Sequence, residues 1–407
     1  MSFVAIDLGA SGSRYVSESG QISVLPNNTV FLQSNEQSLI NPDANDIESC
    51  LEVQITKNGG TACDYFPANV LVGIMAEKHN GVNERPSVNM HKHVQRINYV
   101  SAIIASAISR MKFELTEDIE LYLAVPPIEI HQARSVFKEN LLGTYTVTFP
   151  KYMGGTVVKL NVTDVKCYEE SYMASTSFFF NMSGIPKETS KKYLTGTVLS
   201  LDIGASTTDL AIIKNGRYLD KSGQTYKTGG NEARDFLMNE VCARYAMDMA
   251  IEDAEKSMAE GRLQQGNTYV DISDIVAQSK SALAKKLTIH MQTYFKRVGI
   301  DVKTINAIVV SGGGSMQSQY VNNDGEVIKT SEPMSAFVTA ELQLWSPGTE
   351  VVPYGEDARF GNVKGLFIRA KTDAVRKTTQ ATAPVNTQVT APVQTQATAP
   401  VATPAAN

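Results

Sequence analysis

The sequence predicts an α/β protein built from two similar lobes, and two observations support this prediction. The chain has 407 residues, too many for one compact layer, and 43% of them are hydrophobic, enough for more than one core. An apolar strand, a turn of small residues and a second strand begin at Phe3, and the same pattern begins again at Thr197. This internal duplication predicts that each lobe starts with the same β-hairpin.

The first lobe is predicted over residues 1–195. A small inserted subdomain is expected at about 28–95, where short strands alternate with polar loops. A stripe of apolar residues predicts a helix over 94–111, shortly before a further strand. The predicted strands of this lobe are 3–6, 13–16, 21–25, 51–55, 70–73 and 120–125.

The second lobe is predicted over residues 196–370. Its helical subdomain is expected at about 231–300, where apolar residues recur at helical spacing. The predicted strands of this lobe are 197–202, 209–213, 218–219 and 307–310.

The chain changes character at Lys371. From there on Thr, Ala, Pro, Gln and Val dominate and no aromatic residue occurs, so this segment cannot build a core. The sequence Thr-Ala-Pro-Val recurs at Thr382, Thr390 and Thr398, and its prolines favour an extended backbone. We expect 371–407 to be a disordered tail, either an inert extension or a tether that docks a partner.

Charge and composition exclude several kinds of function. The net charge of -5 leaves no basic face, so we expect no direct binding of nucleic acid. The four cysteines form no CxxC pair and the histidines have no zinc-like spacing, which indicates a reducing, cytoplasmic environment. His91 and His93 are interpreted as a solvated pair. The sequence contains neither a signal-peptide pattern nor an apolar run long enough for a membrane span, so a soluble protein without membrane contact is expected.

Two turns carry the residues expected to bind phosphate. Asp7 begins one turn between two strands and Asp202 begins the other, and small residues in each let backbone N–H groups close on phosphate oxygens. The leading carboxylate can hold Mg²⁺ through water, and Arg14 adds a cation beside the first turn. A dinucleotide-binding βαβ unit is disfavoured, because these glycines lead into strands instead of helices. The predicted phosphate-binding residues are Asp7, Gly9, Ala10, Ser11, Gly12, Ser13, Arg14, Asp202, Gly204, Ala205, Ser206, Thr207 and Thr208.

Two further glycine-rich segments complete the candidate site. The strand that ends near Val310 enters three glycines, where the backbone can approach a flat base or ribose closely. A glycine pair opens a helix after Thr228, and its terminal N–H groups can also contact a nucleotide. These segments add Gly229, Gly230, Asn231, Gly312, Gly313, Gly314 and Ser315 to the predicted site.

In order and spacing, these elements resemble the phosphate and adenosine motifs of the superfamily of actins, sugar kinases and heat-shock ATPases. The resemblance covers residues 1–370. Residues 358–368 are similar to the closing helix of the ParM-type plasmid-segregation actins. Residues 123–127, where a proline directly follows a strand, also resemble that group.

This resemblance implies a two-lobed actin-like ATPase fold, in which each lobe is a mixed five-stranded sheet with flanking helices. The cleft between the lobes is expected to close on ATP, although the preference for ATP over GTP rests on the resemblance alone. Head-to-tail contacts of the chain with itself would build filaments. Such filaments would serve DNA segregation through a separate DNA-binding adaptor protein.

The resemblance also indicates a catalytic residue. Residues 165–171 are similar to the segment of plasmid actins in which a strand is followed by a catalytic Glu and a Ser, which assigns the role of orienting water to Glu170. The usual proline before that Glu is missing and Glu169 adjoins it, so the choice between the two stays open at this point. A purely structural acidic helix start is the alternative. Arg14 occupies the position of a phosphate-binding Lys in many actins.

Three other functions compete with a filament-forming ATPase. A small-metabolite kinase of the same superfamily would use the same turns and add a catalytic Asp. A nucleotide-gated scaffold would polymerise with little hydrolysis. A heat-shock chaperone is disfavoured, because the chain after residue 370 is too short and polar to form a substrate-binding domain.

Overall fold

The computed structural model describes most of the chain. The described residues are 2–10, 12–33, 50–79, 84–87, 90–111, 116–152, 155–355 and 357–382. The predicted site residue Ser11 and the part of the predicted tail after Thr382 lie outside them.

The first sheet, as far as the chain is described, contains nine strands. They are β1 (Ser2–Gly9), β2 (Gly12–Ser17), β3 (Ile22–Leu25), β4 (Thr29–Phe31), β5 (Cys50–Lys57), β6 (Ala68–Gly73), β7 (Thr116–Val125), β8 (Gly143–Phe149) and β9 (Thr156–Glu169). Their order is β3-β2-β1-β7-β9-β8-β5-β6-β4. β1 is central, pairing antiparallel with β2 and parallel with β7, because its run of apolar side chains is buried on both faces.

The strands of the predicted inserted subdomain do not form a separate sheet. β5 pairs antiparallel with β8, and β6 and β4 follow it at the same edge. The pairing covers an edge strand that would otherwise expose its backbone N–H and C=O groups. The described strands within 28–95 therefore extend the first sheet, where the sequence predicts a small inserted subdomain.

The remaining described strands belong to the second lobe. They are β10 (Thr197–Ile203), β11 (Thr208–Lys214), β12 (Arg217–Tyr218), β13 (Gln224–Tyr226), β14 (Arg262–Gln265), β15 (Thr268–Asp271), β16 (Ala307–Ser311), β17 (Ser318–Val321), β18 (Val327–Ser331) and β19 (Glu350–Pro353). The main path of the second sheet is β12-β11-β10-β16-β19, with β13 beside β11. β10 pairs antiparallel with β11 and parallel with β16, the same arrangement as β2, β1 and β7. The internal duplication and the mixed α/β fold are thus confirmed, but the described sheets have nine and six strands where five were predicted in each lobe.

Helices cover both sheets. Those in the described ranges are α1 (Ile74–Lys78), α2 (Arg96–Arg110), α3 (Ile130–Leu141), α4 (Glu170–Phe179), α5 (Gly230–Tyr245), α6 (Ile251–Glu260), α7 (Ser273–Val298), α8 (Met334–Leu342) and α9 (Gly361–Thr382). α2 and α3 pack on one face of the first sheet, and α7 and α8 pack on one face of the second. None of these described helices is both long and apolar enough to cross a membrane.

Each lobe contributes one helix that packs against the sheet of the other lobe. α9, late in the chain, packs Val363 and Phe367 against Phe3 on the other face of the first sheet. α4, from the first half of the chain, packs Phe179 against the second sheet. The two helices cross in contact at Gly365, where a side chain would overlap the Met173 backbone. The predicted boundary at residues 195–196 separates the lobes along the sequence, but α4 and α9 each pack on the sheet of the other lobe.

The predicted start of the tail at Lys371 is too early. α9 continues to Thr382, and its last turns are held by polar contacts that an apolar pattern does not reveal. The Lys377 ammonium pairs with Glu120 in β7, and the Asp373 carboxylate accepts hydrogen bonds from Tyr122 and Tyr168. The folded part therefore extends at least one helical turn beyond residue 371.

Candidate functional site

A cavity of about 650 Å³ lies in the cleft between the lobes. The β1–β2 turn lines it from the first lobe, and the β10–β11 turn and the loop after β16 line it from the second. The first residues of α4 and α9, Glu170 and nearby Asn362, form its floor. At the rim Arg85 of the first lobe lies 3.4 Å from Glu252 of α6, and both side chains are exposed.

The first turn is tightened by an asparagine from outside the motif. Asn27 donates to the Gly9 carbonyl and accepts from the Ser13 hydroxyl at 2.9 Å. Asp7 lies near the end of β1, close to the turn, and is buried. Its carboxylate lies 3.7 Å from the Arg14 guanidinium. This side of the cavity presents one carboxylate and one cation on a fixed backbone.

The second turn is bonded to the start of α5. Gly204 N–H donates to the Thr207 carbonyl at 2.8 Å, which closes the turn. The N–H groups of Gly230 and Asn231 donate to the Gly204 and Ala205 carbonyls at 2.9 and 2.7 Å. These two N–H groups hold the second turn in place, and the contact of this glycine pair with a nucleotide stays a prediction.

The third loop depends on glycine at position 312. Gly312 has φ of +85°, and a Cβ atom there would overlap the Ile203 carbonyl and come within 2.6 Å of Asp202 Oδ1. Gly313 faces open space. The loop can therefore approach a ligand closely while Gly312 packs directly on the second turn.

Three carboxylates, those of Asp7, Glu170 and Asp202, line the cavity, and a fourth, that of Asp209, interacts with Glu170 and Asp202. Glu170 is buried, and burial together with the Glu170 charge raises the pKa of Asp202 to about 7. The same two causes raise the pKa of Asp209 well above its ordinary value, and burial raises the pKa of Asp7 despite the opposing charge of Lys92. The Lys92 ammonium forms an ion pair with Glu170 and lies 4.0 Å from Asp7 Oδ1. This centre holds more negative than positive charge, which suits a cation.

The far end of the cavity is more apolar. Its lining there includes Met258, Leu283 and Met334. Lys280 is buried among them, and its ammonium donates to the Met316 carbonyl, the Ser318 hydroxyl and the Glu332 carbonyl at 3.0–3.1 Å. Burial lowers the pKa of Lys280 to about 8. An apolar pocket with few polar groups suits a flat aromatic ring.

Comparisons with known proteins agree with this geometry. Residues 200–319 match the family model described as archaeal actin homologue MreB-like, C-terminal. The structure resembles that of the actin-like protein Alp7A with a TM-score of 0.71 and 17% identity, over 93% of this chain and 98% of Alp7A. The chain has the actin-like fold. No curated protein sequence matches it.

Two further solved actin-like structures are similar, and both contain a nucleotide. Bacillus thuringiensis ParM with ATP has a TM-score of 0.62 and 15% identity, over 92% of this chain and 99% of that one. The archaeal actin homolog Ta0583 in complex with ADP has a TM-score of 0.63 and 15% identity, over 91% and 100%. At these identities the similarity establishes the fold, and the predicted actin-like fold is confirmed.

The actin-like fold brings most of the predicted site together. The predicted residues that line the cavity are Asp7, Gly9, Ala10, Arg14, Glu170, Asp202, Gly204, Ala205, Ser206, Thr207, Gly230, Asn231, Gly312, Gly313 and Gly314. The described residues Gly12, Ser13, Thr208, Gly229 and Ser315 are not part of this lining. The Thr208 and Ser315 hydroxyls donate to the Thr228 and Gly312 carbonyls at 2.7 Å each, so they stabilise the loops.

The structure adds residues that the sequence analysis missed. Asp209 pairs in register with Asp202, as Arg14 pairs with Asp7, so the internal duplication could have pointed to it. Asn362 donates to Asp202 Oδ2 at 3.0 Å. Lys92 had no sequence signal, because its contact with Glu170 joins distant parts of the chain.

The prediction of a solvated pair is confirmed for His91, whose side chain is 53% exposed, and is wrong for His93. His93 is buried, and its Nδ1 lies 3.2 Å from Glu129 Oε2. The His91 ring stacks on His93, with Nδ1 3.4 Å from Glu129 Oε1. Within the described part of the chain, no three His, Cys, Asp or Glu side chains are grouped to hold a metal ion.

Proposed function

We propose that this actin-like protein binds ATP with Mg²⁺ in the cleft. The observation that carries the proposal is the convergence of two duplicated turns and the 312–314 loop on one cavity. Phosphates would lie between the turns, and the base would lie at the apolar end beside Leu283. ParM and Ta0583 were solved with adenine nucleotides, which supports ATP as the ligand to test before GTP.

The acidic residues fit Mg²⁺ held through water. A divalent cation would stabilise the ionised forms of Asp7 and Asp202, two buried carboxylates whose pKa values are raised. Asn362 Oδ1 is buried without a hydrogen-bond partner in the described residues, so it would be available to help hold the water shell of such an ion. The ion would supply charge stabilisation at the phosphate oxygens.

Hydrolysis is proposed to use Glu170. Its carboxylate would accept a proton from water as the water oxygen bonds to the γ-phosphorus. The bond from that phosphorus to the β–γ bridging oxygen breaks, which gives ADP and phosphate. Glu170 lines the cavity, whereas Glu169 is bonded to Tyr218, and this difference supports Glu170.

We further propose that the ATP-bound protein forms head-to-tail filaments. The actin-like fold and the sequence resemblance to plasmid-segregation actins support this step, and they also suggest a role in DNA segregation through a DNA-binding adaptor. Contacts of this kind do not close into a ring and so give a helical polymer.

One experiment tests both parts of the proposal. Purified protein with ATP, GTP or no nucleotide, each with Mg²⁺, is imaged by electron microscopy while phosphate release is measured. We expect filaments and phosphate release with ATP. Protein that stays monomeric at high concentration contradicts the filament, and filaments without phosphate release would identify a nucleotide-gated scaffold.

A further inference from the structure

Lys92 is held rigidly at the cavity wall. It begins a single 3₁₀ turn, Lys92–Val94, that sits between the loop after β7 and the start of α2. Its N–H donates to Glu129 Oε2 at 2.7 Å, and its carbonyl accepts from the Asn98 side chain at 2.9 Å. The backbone is therefore fixed on both sides, and only the flexible side chain is free to change partners.

The Lys92 side chain occupies the acidic centre. It is 17% exposed, and its ammonium pairs with Glu170 while lying 4.0 Å from Asp7. Burial by itself would lower the pKa of Lys92, but the two carboxylates outweigh burial and raise it. The Lys92 side chain therefore stays positively charged at this point in the cleft.

The ion pair limits what Glu170 can do. A carboxylate oxygen that accepts the Lys92 hydrogen bond is less available to water, because the ammonium already occupies it. Glu170 also lies near the Asp202 and Asp209 carboxylates, whose charges act on it. Without Lys92, Glu170 would lose the cation that pairs with it.

We propose that Lys92 is a γ-phosphate sensor that holds Glu170 in the empty or ADP-bound cleft and moves to the third phosphate when ATP binds. The proposal rests on the proposed ATPase function and adds a positioning residue to it. The γ-phosphate carries more negative charge than a carboxylate, so it competes for the ammonium. Its arrival frees Glu170 to accept a proton, and ADP, which lacks that phosphate, leaves the ion pair in place.

The first test compares affinities for two nucleotides. Titration calorimetry with Mg²⁺ measures binding of ADP and of the non-hydrolysable β,γ-imido analogue of ATP to wild type, Lys92→Met, Lys92→Arg and the control Lys138→Met. Lys138 is an exposed lysine of the same lobe, paired with Asp164 at 2.9 Å. We expect Lys92→Met to bind the analogue about tenfold more weakly or worse, with ADP affinity changed about twofold at most. Lys92→Arg keeps the charge and should recover part of the discrimination.

The second test measures the coupling between the two residues. Glu170→Gln removes the charge that holds Lys92, so the analogue should bind more tightly than to wild type. That gain should vanish in the Lys92→Met, Glu170→Gln double variant, because no ammonium remains to be released. Thermal unfolding of every variant confirms that it is folded.

The outcomes separate the two proposals. If wild type binds both nucleotides and Lys92→Met keeps the wild-type ratio of affinities, the sensor proposal is wrong and the proposed function stands. If wild type binds neither nucleotide, the proposed function is wrong and the sensor falls with it. If Lys92→Met does not fold, Glu170→Gln alone decides, and a wild-type affinity of that variant for the analogue would show that the ion pair does not compete with the third phosphate and that the sensor proposal is wrong.

Discussion

Glu169 and Glu170 are adjacent in sequence, yet their carboxylates have different partners. Glu169 ends β9 and accepts a hydrogen bond from Tyr218 of the second lobe. Glu170 begins α4 and pairs with Lys92 at the cavity. Burial raises the pKa of Glu169, and the Tyr218 hydrogen bond opposes the rise. Because the strand ends at Glu169 and the helix begins at Glu170, the two neighbours have different roles. Glu169 joins the two lobes, and Glu170 lies in the cleft.

Glu170→Gln should slow hydrolysis while nucleotide binding survives. Losing a general base lowers the rate by about a hundredfold to ten-thousandfold, and other residues would hold the nucleotide. Filaments should form with ATP and persist, because assembly follows the ATP-bound state and conversion to ADP is slowed. Phosphate release and light scattering check this. Glu169→Gln is the matched control, and a larger loss of rate in that variant would move the catalytic role to Glu169.

Asp7→Asn should weaken nucleotide binding chiefly when Mg²⁺ is present. The buried Asp7 carboxylate is proposed to hold the water shell of the ion, and an amide interacts with a divalent cation less strongly. Calorimetry with Mg²⁺ and with a chelator measures the difference. Asp301→Asn, at an exposed turn of the second lobe, serves as the control. Equal losses with and without Mg²⁺ would contradict a metal-related role.

Asp202→Asn should stabilise the nucleotide-free protein at alkaline pH. Asp202 has a pKa of about 7 in the folded state against an ordinary value of 3.8, so the folded state binds the extra proton between these values. The free energy of unfolding contributed by this group is present at low pH and is lost as the pH rises from about 4 to about 7. Asparagine removes that loss. We expect a higher unfolding temperature than wild type at pH 8 and a smaller difference at pH 4, and the reverse order would contradict the raised pKa.

Gly312→Ala should destabilise the protein strongly. A Cβ atom at Gly312 would overlap the Ile203 carbonyl, and the left-handed backbone alone costs about 1–2 kcal/mol for an L-residue. Gly313→Ala is a close control, because its Cβ would meet open space. Chemical denaturation of both variants measures the difference. Equal stabilities would mean that the third loop moves easily away from the second turn.

Two truncations should define where the fold ends. Removing residues after Thr382 takes away a segment without aromatic or charged residues, so stability should not change. Removing residues after Ala370 also takes away Asp373 and Lys377 and leaves the buried Glu120 with fewer partners. This should lower the free energy of unfolding by about 1–3 kcal/mol. Identical denaturation curves for the two truncated proteins would contradict the extended α9.

The predictable part of this fold follows from short-range patterns. The apolar strands before Asp7 and Asp202 and the small residues after them identify both turns, because strand, turn and carboxylate are close in sequence. Lys92 could not be found in this way. Its role depends on a contact with Glu170 that only the folded chain creates.

The end of α9 was missed for a related physical reason. The closing helix was identified by resemblance over residues 358–368, and the change of composition at Lys371 placed the start of a tail there. The following turns are fixed by charged and hydroxyl groups, with Asp373 and Lys377 bonded to the first sheet. Polar contacts of this kind do not recur at a regular spacing in the sequence. A sequence pattern therefore does not reveal them, and the segment is predicted to be a tail.

The crossing of α4 and α9 gives the molecule the mechanics of a lever. The fulcrum is the contact of Gly365 with Met173, and both helices present their first residues to the floor of the cleft. Arg85 and Glu252 meet beside the part of the cavity that Ser87 and Glu255 line. If one lobe rotates about the fulcrum, points of the cleft farther from that contact move through a longer arc than the floor. The crossing of the helices would then convert a small displacement at the phosphate turns into a larger one at a distant surface.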